Sequence, residues 1–215
     1  MVVDQRVAST EERFKMKIDI IENTDDKIRF KISGIDLSLA NALRRIILSE
    51  VPVMAMETIT FEENSSILND EFLAHRLGLT PLKTDLKTYN FIDDCTCELK
   101  GCAKCTAHLK ADVKGPGILY SKDLKSNDPN IVPIHGNIPL VKLTEHQKVK
   151  FEAVAMLGMG KDHVKWQCGL ASYEMKKEDF EFFVESYGQL SAKEILERAF
   201  EIFDDKLSHI KKLKV

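Results

Sequence analysis

The sequence predicts an α+β fold built on antiparallel strands. Three observations carry that expectation. Apolar and polar residues alternate in short runs at both ends of the chain, a turn separates the first two runs, and apolar stripes at helical spacing follow at Asp36–Pro52 and Ala192–Lys212. Between them the chain is strand-rich and irregular, and holds four of its five cysteines in the stretch 95–105. With 215 residues, one or two domains are expected, and a 44% hydrophobic content is enough for a real core.

Residues 1–12 carry no secretory apolar core and read as a frayed lead-in. Phe14, Met16, Ile18 and Ile20 alternate with polar residues, as a strand with one buried face does, and Ile28, Phe30 and Ile32 resume the alternation after the turn residues Asn23-Thr-Asp-Asp26. Lys15–Ser33 is therefore a hairpin, and Gly34 breaks its second strand. Asp36 or Ser38 can cap the helix that follows, and Pro52 prevents its continuation. Wound at about 100° per residue, Leu39, Leu43, Ile46 and Ile47 make one stripe, while Leu37 and Leu48 lie nearly opposite. Only Ser38, Asn41, Arg45 and Ser49 form a polar strip, with Arg44 at its edge. Such a helix has two things to cover: either it is enclosed on all sides in its own domain or it meets a second polypeptide.

Val53–Phe61 reads as a largely apolar strand stopped by Glu62-Glu63-Asn64, and Asn69 can cap a short helix to Gly78 with Phe72, Leu73, Arg76 and Leu77 at helical spacing. Thr106–Val113 and Ile118–Tyr120 are strands about the turn Gly115-Pro116-Gly117, Lys122–Asn130 is a polar loop, and Val141–Met156 is strand, loop and strand. Phe180, Phe182 and Val184 mark a further strand. Ser191-Ala-Lys-Glu194 is a capping box opening a helix over Ala192–Lys212, whose stripe runs through Ile195, Leu196, Ala199, Ile202, Phe203, Leu207 and Ile210. At about 1.5 Å per residue it is roughly 30 Å long, which suits either lying across its own strands or projecting onto another protein.

Composition removes several function classes. Lys plus Arg is 31 against 34 Asp plus Glu, a net charge of −3, which argues against a chain whose main work is gripping phosphates. No apolar run approaches about 18 residues, so no membrane span is expected. Cys95, Cys97, Cys102 and Cys105 stand as C-x-C-x4-C-x2-C, and five cysteines in this arrangement suit a reducing cytosol and a metal site more than a disulfide scaffold. Four thiolates in one short loop can wrap a single tetrahedral ion; Gly101 permits the tight turn, and Lys100 and Lys104 favour the thiolate form. The spacing favours one structural Zn2+ over a redox pair or an iron–sulfur cluster, and a closed shell of four thiolates does no chemistry. Cys168 is an ordinary buried thiol. Gly158-Met-Gly160-Lys161 lacks the frame of a phosphate loop, and His75, His135 and His163 have no partner base, nucleophile or open metal position. No catalytic residues are expected.

Leu39-Ala-Asn-Ala-Leu-Arg-Arg-Ile46, Phe72-Leu-Ala-His-Arg-Leu-Gly-Leu-Thr-Pro-Leu82, the cysteine loop, Gly115-Pro-Gly117 and His163-Val-Lys-Trp166 occur in that order. Together they resemble the D subunits of archaeal DNA-directed RNA polymerase, a family similar to the third-largest subunit of eukaryotic RNA polymerase II and to the bacterial alpha N-terminal domain. The resemblance implies a discontinuous dimerisation domain, residues 1–52 with 174–215, interrupted by an inserted domain over 53–173. It implies a non-catalytic, cytoplasmic assembly subunit that pairs with the L subunit through helices of both chains. It also implies a platform, carried by the inserted domain and by Asn41, Arg44 and Arg45, for the second-largest catalytic subunit and the small N and P subunits. Leu37, Leu48, Phe203, Leu207 and Ile210 join these as the expected partner-interface residues. Direct sequence-specific DNA contact is not expected. Many archaeal relatives carry a further ferredoxin-like insertion with iron–sulfur cysteines; here Met175-Lys-Lys-Glu-Asp179 leads directly into the last strand, so no cluster is expected. With the chain ending at Val215, a bacterial-type C-terminal DNA-binding domain is not expected either. The alternative from another class is an independent zinc-ribbon nucleic-acid binder using Lys104, Lys110 and Lys114, opposed by the acidic balance and the few aromatics near the loop.

Overall fold

The computed structural model describes residues 16–212. Phe14 and the lead-in lie outside the described residues. The hairpin is β1 (Lys17–Asn23) and β2 (Lys27–Ser33), closed by the Thr24 N–H donating to the Lys27 carbonyl at 2.8 Å. Helix α1 (Leu37–Ser49) is capped by Asp36, whose carboxylate accepts the Leu39 N–H at 2.8 Å. There follow β3 (Val53–Asn64), α2 (Asp70–Gly78), β4 (Thr106–Lys114), β5 (Gly117–Tyr120), β6 (Lys125–Ser126), β7 (Pro139–Leu143), β8 (Lys148–Gly158), β9 (Gly169–Lys176), β10 (Asp179–Ser186) and α3 (Ala192–Lys212). All named strand pairs are antiparallel. They make one sheet in the order β1-β2-β10-β9, a second in the order β3-β8-β4-β6, and the small pair β5-β7.

Each large sheet has its own core. Under the first, Phe30 stacks on Phe182 with ring centroids 5.1 Å apart, and Leu43, Ile46 and Ile47 of α1 and Ile195 and Ala199 of α3 close over them. The second is filled by Leu73 and Leu77 of α2 against Leu109, Leu119 and Phe151. Strand β3 serves both. Val53 and Ala55 point into the first core, Met54 and Met56 into the second, which is why its opening residues are continuously apolar and all buried.

Several elements depart from the sequence reading. β3 continues through the expected stop at Glu62, because Glu62 and Glu63 pair with Lys150 and Lys148 of β8 and can stay in the ladder. β9 is a strand that the sequence did not announce. It pairs along its whole length with β10, so the expected boundary at 173/174 falls inside it. The loop after β5 contains a helical turn at Ser121–Asp123 and the short strand β6. Asn69 occupies the N-cap position of α2 without a side-chain cap bond, and Phe72 is exposed. In α1, Ala40 takes the fully buried place expected of Leu39, which is only half-buried. Gly160 explains the look-alike phosphate loop. A Cβ there would lie 2.4 Å from the Leu48 carbonyl oxygen, so the residue is glycine to let this turn dock on the end of α1, where the Lys161 N–H donates to the Ser49 carbonyl at 2.9 Å.

The capping box forms as expected: the Ser191 N–H donates to the Glu194 carboxylate at 2.9 Å and the Glu194 N–H to the Ser191 hydroxyl at 3.2 Å. Phe182→Ala should lower unfolding free energy by about 3–5 kcal/mol, because it leaves a cavity in the stacked pair. Exposed Phe72→Ala should change it by no more than about 0.5 kcal/mol, and urea midpoints of the two variants measure the contrast.

Candidate functional site

The cysteine loop runs into β4 and is fastened at both ends. The Asn90 N–H donates to the Lys104 carbonyl at 2.8 Å, and the Cys105 and Thr106 N–H groups both donate to the Cys102 carbonyl at 2.9 Å. The turn between takes left-handed backbone at Glu98, Leu99 and Gly101, with φ of 54°, 65° and 76°. This folds Cys95 against Cys102, with sulfurs 3.5 Å apart, and Cys97 against Cys105 at 3.6 Å, while Cys102 and Cys105 are 3.8 Å apart. All four sulfurs lie within 4.8 Å of one another. A tetrahedron with metal–sulfur bonds of about 2.3 Å has edges of roughly 3.8 Å, so the four side chains fit one ion. Cys105 is buried and the other three are half-buried.

The electrostatics of the loop come from backbone more than from lysine charge. The Lys104 N–H donates to the Cys102 sulfur at 3.4 Å and, with the Cys95 thiol, holds the Cys102 thiol down at about 7. Lys100 instead lies 3.5 Å from the Glu98 carboxylate. Burial pushes the Cys105 thiol up to about 12, and does the same to Cys168, whose S–H donates to the Ile47 carbonyl at 3.3 Å. Of the lysines weighed as a nucleic-acid patch, Lys110 is paired with Glu152 at 3.3 Å. His75 and His163 line an open groove beside the Glu57–Lys165 ion pair, and the His135 carbonyl accepts from Ser121.

A second feature is apolar surface that the described residues leave uncovered. Leu37 at the start of α1 is 57% exposed, and toward the end of α3 Leu207 is 39% and Ile210 62% exposed. Leu48 and Phe203 are half-buried against the first core. Asn41 accepts from Arg44 at 2.8 Å, and Arg45 stands exposed. The expected buried face of β1 is also open. Ile18 and Ile20 sit opposite Ile32 and Phe30, on the side of the sheet that forms the core, yet they are 42% and 62% exposed. The helices reach β2, β9 and β10, leaving this edge of the apolar face bare. Sequence reasoning missed this because alternation shows which face is apolar, not whether anything lies on it.

The family model described as the RNA polymerase Rpb3/RpoA insert domain matches residues 59–197. Proteins named DNA-directed RNA polymerase subunit Rpo3 are similar over much of the chain. That of Pyrococcus furiosus is 44% identical over 163 residues, covering 74% of this chain and 59% of the relative; that of Methanosarcina mazei is 43% identical over 157 residues, covering 73% and 59%. That of Methanosphaera stadtmanae is 40% identical over 185 residues, covering 79% and 68%. The chain belongs to the Rpo3 family, the D subunits of archaeal RNA polymerase. It spans about three-fifths of the length of the first two relatives.

Within this Rpo3-family chain the match takes in β3 from Ile59, the whole cysteine loop, β4 to β10 and the opening of α3. Among the described residues no helix is long and apolar enough to cross a membrane. In metal-free protein near neutral pH, Cys102 should be alkylated first. Its thiolate fraction falls as pH drops through about 7, whereas Cys105 and Cys168 stay protonated. Timed labelling followed by peptide mass analysis reads the order, and early labelling of Cys105 or Cys168 would contradict it.

Proposed function

We propose that this chain is a non-catalytic assembly subunit of an archaeal DNA-directed RNA polymerase, that it pairs with the L subunit, and that the pair forms a platform for the second-largest catalytic subunit and the small N and P subunits. The observation that carries the reading is the uncovered apolar surface on β1, α1 and the outer half of α3. Side chains such as Ile20, Leu37 and Ile210 gain from leaving water, and their own sheet gives them nothing to pack on. Obligate interfaces typically bury about 2,000 Å² or more, so a lone chain with this face open aggregates or recruits its partner. In this reading Leu37, Leu48, Phe203, Leu207 and Ile210 meet the L subunit, and the polar strip of Asn41, Arg44 and Arg45 meets the larger subunit. Arginine suits that role because its rigid fork can pair with carboxylates and carbonyls.

The dimerising part is then the hairpin, α1, β9, β10 and α3, with β3 to β8 as the inserted part. The four-cysteine loop holds one Zn2+ by Cys95, Cys97, Cys102 and Cys105. With four thiolates the shell is closed, so the ion braces the loop and leaves no position for substrate. The chain works in the cytoplasm as part of the transcription complex and makes no sequence-specific DNA contact of its own.

Co-expression with the L-like subunit should give a soluble heterodimer, and Leu207→Asp with Ile210→Asp should weaken it by about 30-fold or more while the circular dichroism of the chain is unchanged. An isolated chain that stays soluble and monomeric and ignores the partner would sink the proposal. Elemental analysis should find one zinc per chain in a colourless protein; a brown protein containing iron would reject the metal assignment.

A further inference from the structure

We propose that the cysteine loop is also a reversible oxidation site, which closes as two interlaced disulfides, Cys95–Cys102 and Cys97–Cys105, when a peroxide meets it. Four cysteines allow three pairings, and spacing alone would favour the C-x-x-C pair Cys102–Cys105. The fold favours another. The two shortest sulfur contacts, 3.5 Å and 3.6 Å, fall on separate pairs and use all four residues. Pairing Cys102 with Cys105 starts from 3.8 Å and leaves Cys95 to bridge Cys97 across Thr96 alone, which strains a disulfide.

Each preferred pair must close by about 1.5 Å to reach an S–S bond of about 2.05 Å. The loop can yield that much, since its tip at Glu98, Leu99 and Lys100 is exposed, while its ties to Asn90 and Thr106 hold the ends. In each pair one thiolate attacks the peroxide O–O bond, giving a sulfenic acid and hydroxide. The second thiolate displaces the sulfenic oxygen as hydroxide and forms the S–S bond. Two protons from solvent turn the two hydroxides into water. Each pair thus gives two electrons to one peroxide, and two peroxides oxidise the loop; an ion held by these four thiolates would lose its ligands. A dithiol reverses both bridges. In the metal-free loop the pairing is set by these sulfur positions.

Peroxide treatment of the full chain, alone or in the complex it purifies with, tests this by intact mass and non-reduced peptide mapping, on metal-loaded and metal-stripped samples. The oxidised chain should weigh about 4 Da less than the reduced one, carry the two named bridges and retain one alkylatable thiol, Cys168, which is 1% exposed in the first core. Dithiothreitol should restore four loop thiols and metal uptake. Cys95→Ser should lose about 2 Da, with Cys97 bridged to Cys105 and Cys102 free. A Cys102–Cys105 bridge in either protein, bridges between chains, or mass gains in steps of about 16 Da on these cysteines would overturn the proposal.

Discussion

Four consecutive residues, Val53 to Met56, are buried on alternate sides of one strand, and the arrangement of the molecule depends on them. A strand can serve two cores only if both of its faces are apolar, and the period of two then divides its side chains evenly. The segment follows α1 directly through Val51 and Pro52, so the helix that covers the first sheet and the strand that begins the second cannot shift independently. β3 is paired to β8, and β8 to β4, whose first residue follows Cys105. The covalent link through Pro52 and the strand pairing from β3 through β8 to β4 therefore join the end of α1 to the cysteine loop.

The charged residues are arranged to keep this framework self-contained. On the outer face of the first sheet Arg29 and Lys176 both reach Glu181, and Lys31 lies 2.6 Å from Asp179. On the second sheet Lys148 meets Glu63 at 2.9 Å and Asp112 at 3.6 Å, and Lys150 meets Glu62. Exposed pairs of this kind are screened by water and add little to stability. Their larger effect is on binding. A lysine already facing a carboxylate across two strands offers little net field to a phosphate backbone, in keeping with the acidic balance of the chain.

How much of this was legible depended on whether the signal was local. The span of α3, its Ser191–Glu194 capping box, the Asp36 cap and the closeness of the four cysteines all follow from residues a few positions apart, and all stand in the structure as expected. β9 was not legible. Gly169, Ala171 and Tyr173 supply too little apolar bulk to announce a strand, and its place is fixed by β10 and by Tyr173 packing edge-on to Phe180. The lysines beside the cysteines were misleading for a similar reason. Lys100 is neighboured by Glu98, and it is the Lys104 amide, with no side-chain signature, that polarises Cys102.

The exposure of α3 follows what lies beneath it. One capping box and one uninterrupted stripe open and carry the helix, yet Ile195, Leu196 and Ala199 are buried, Ile202 and Phe203 are half-buried, and Leu207 and Ile210 stand in water. Nothing in the stripe changes along its length; what changes is the sheet beneath it, which the helix outruns. The same holds for β1, where Ile18 and Ile20 continue the face of Ile32 and Phe30 past the last covering helix. These two elements meet β2 from different sides, β1 by pairing and α3 by packing. Apolar periodicity that continues where the described residues leave it uncovered is costly in water, and a partner surface is the physical condition under which it becomes stabilising.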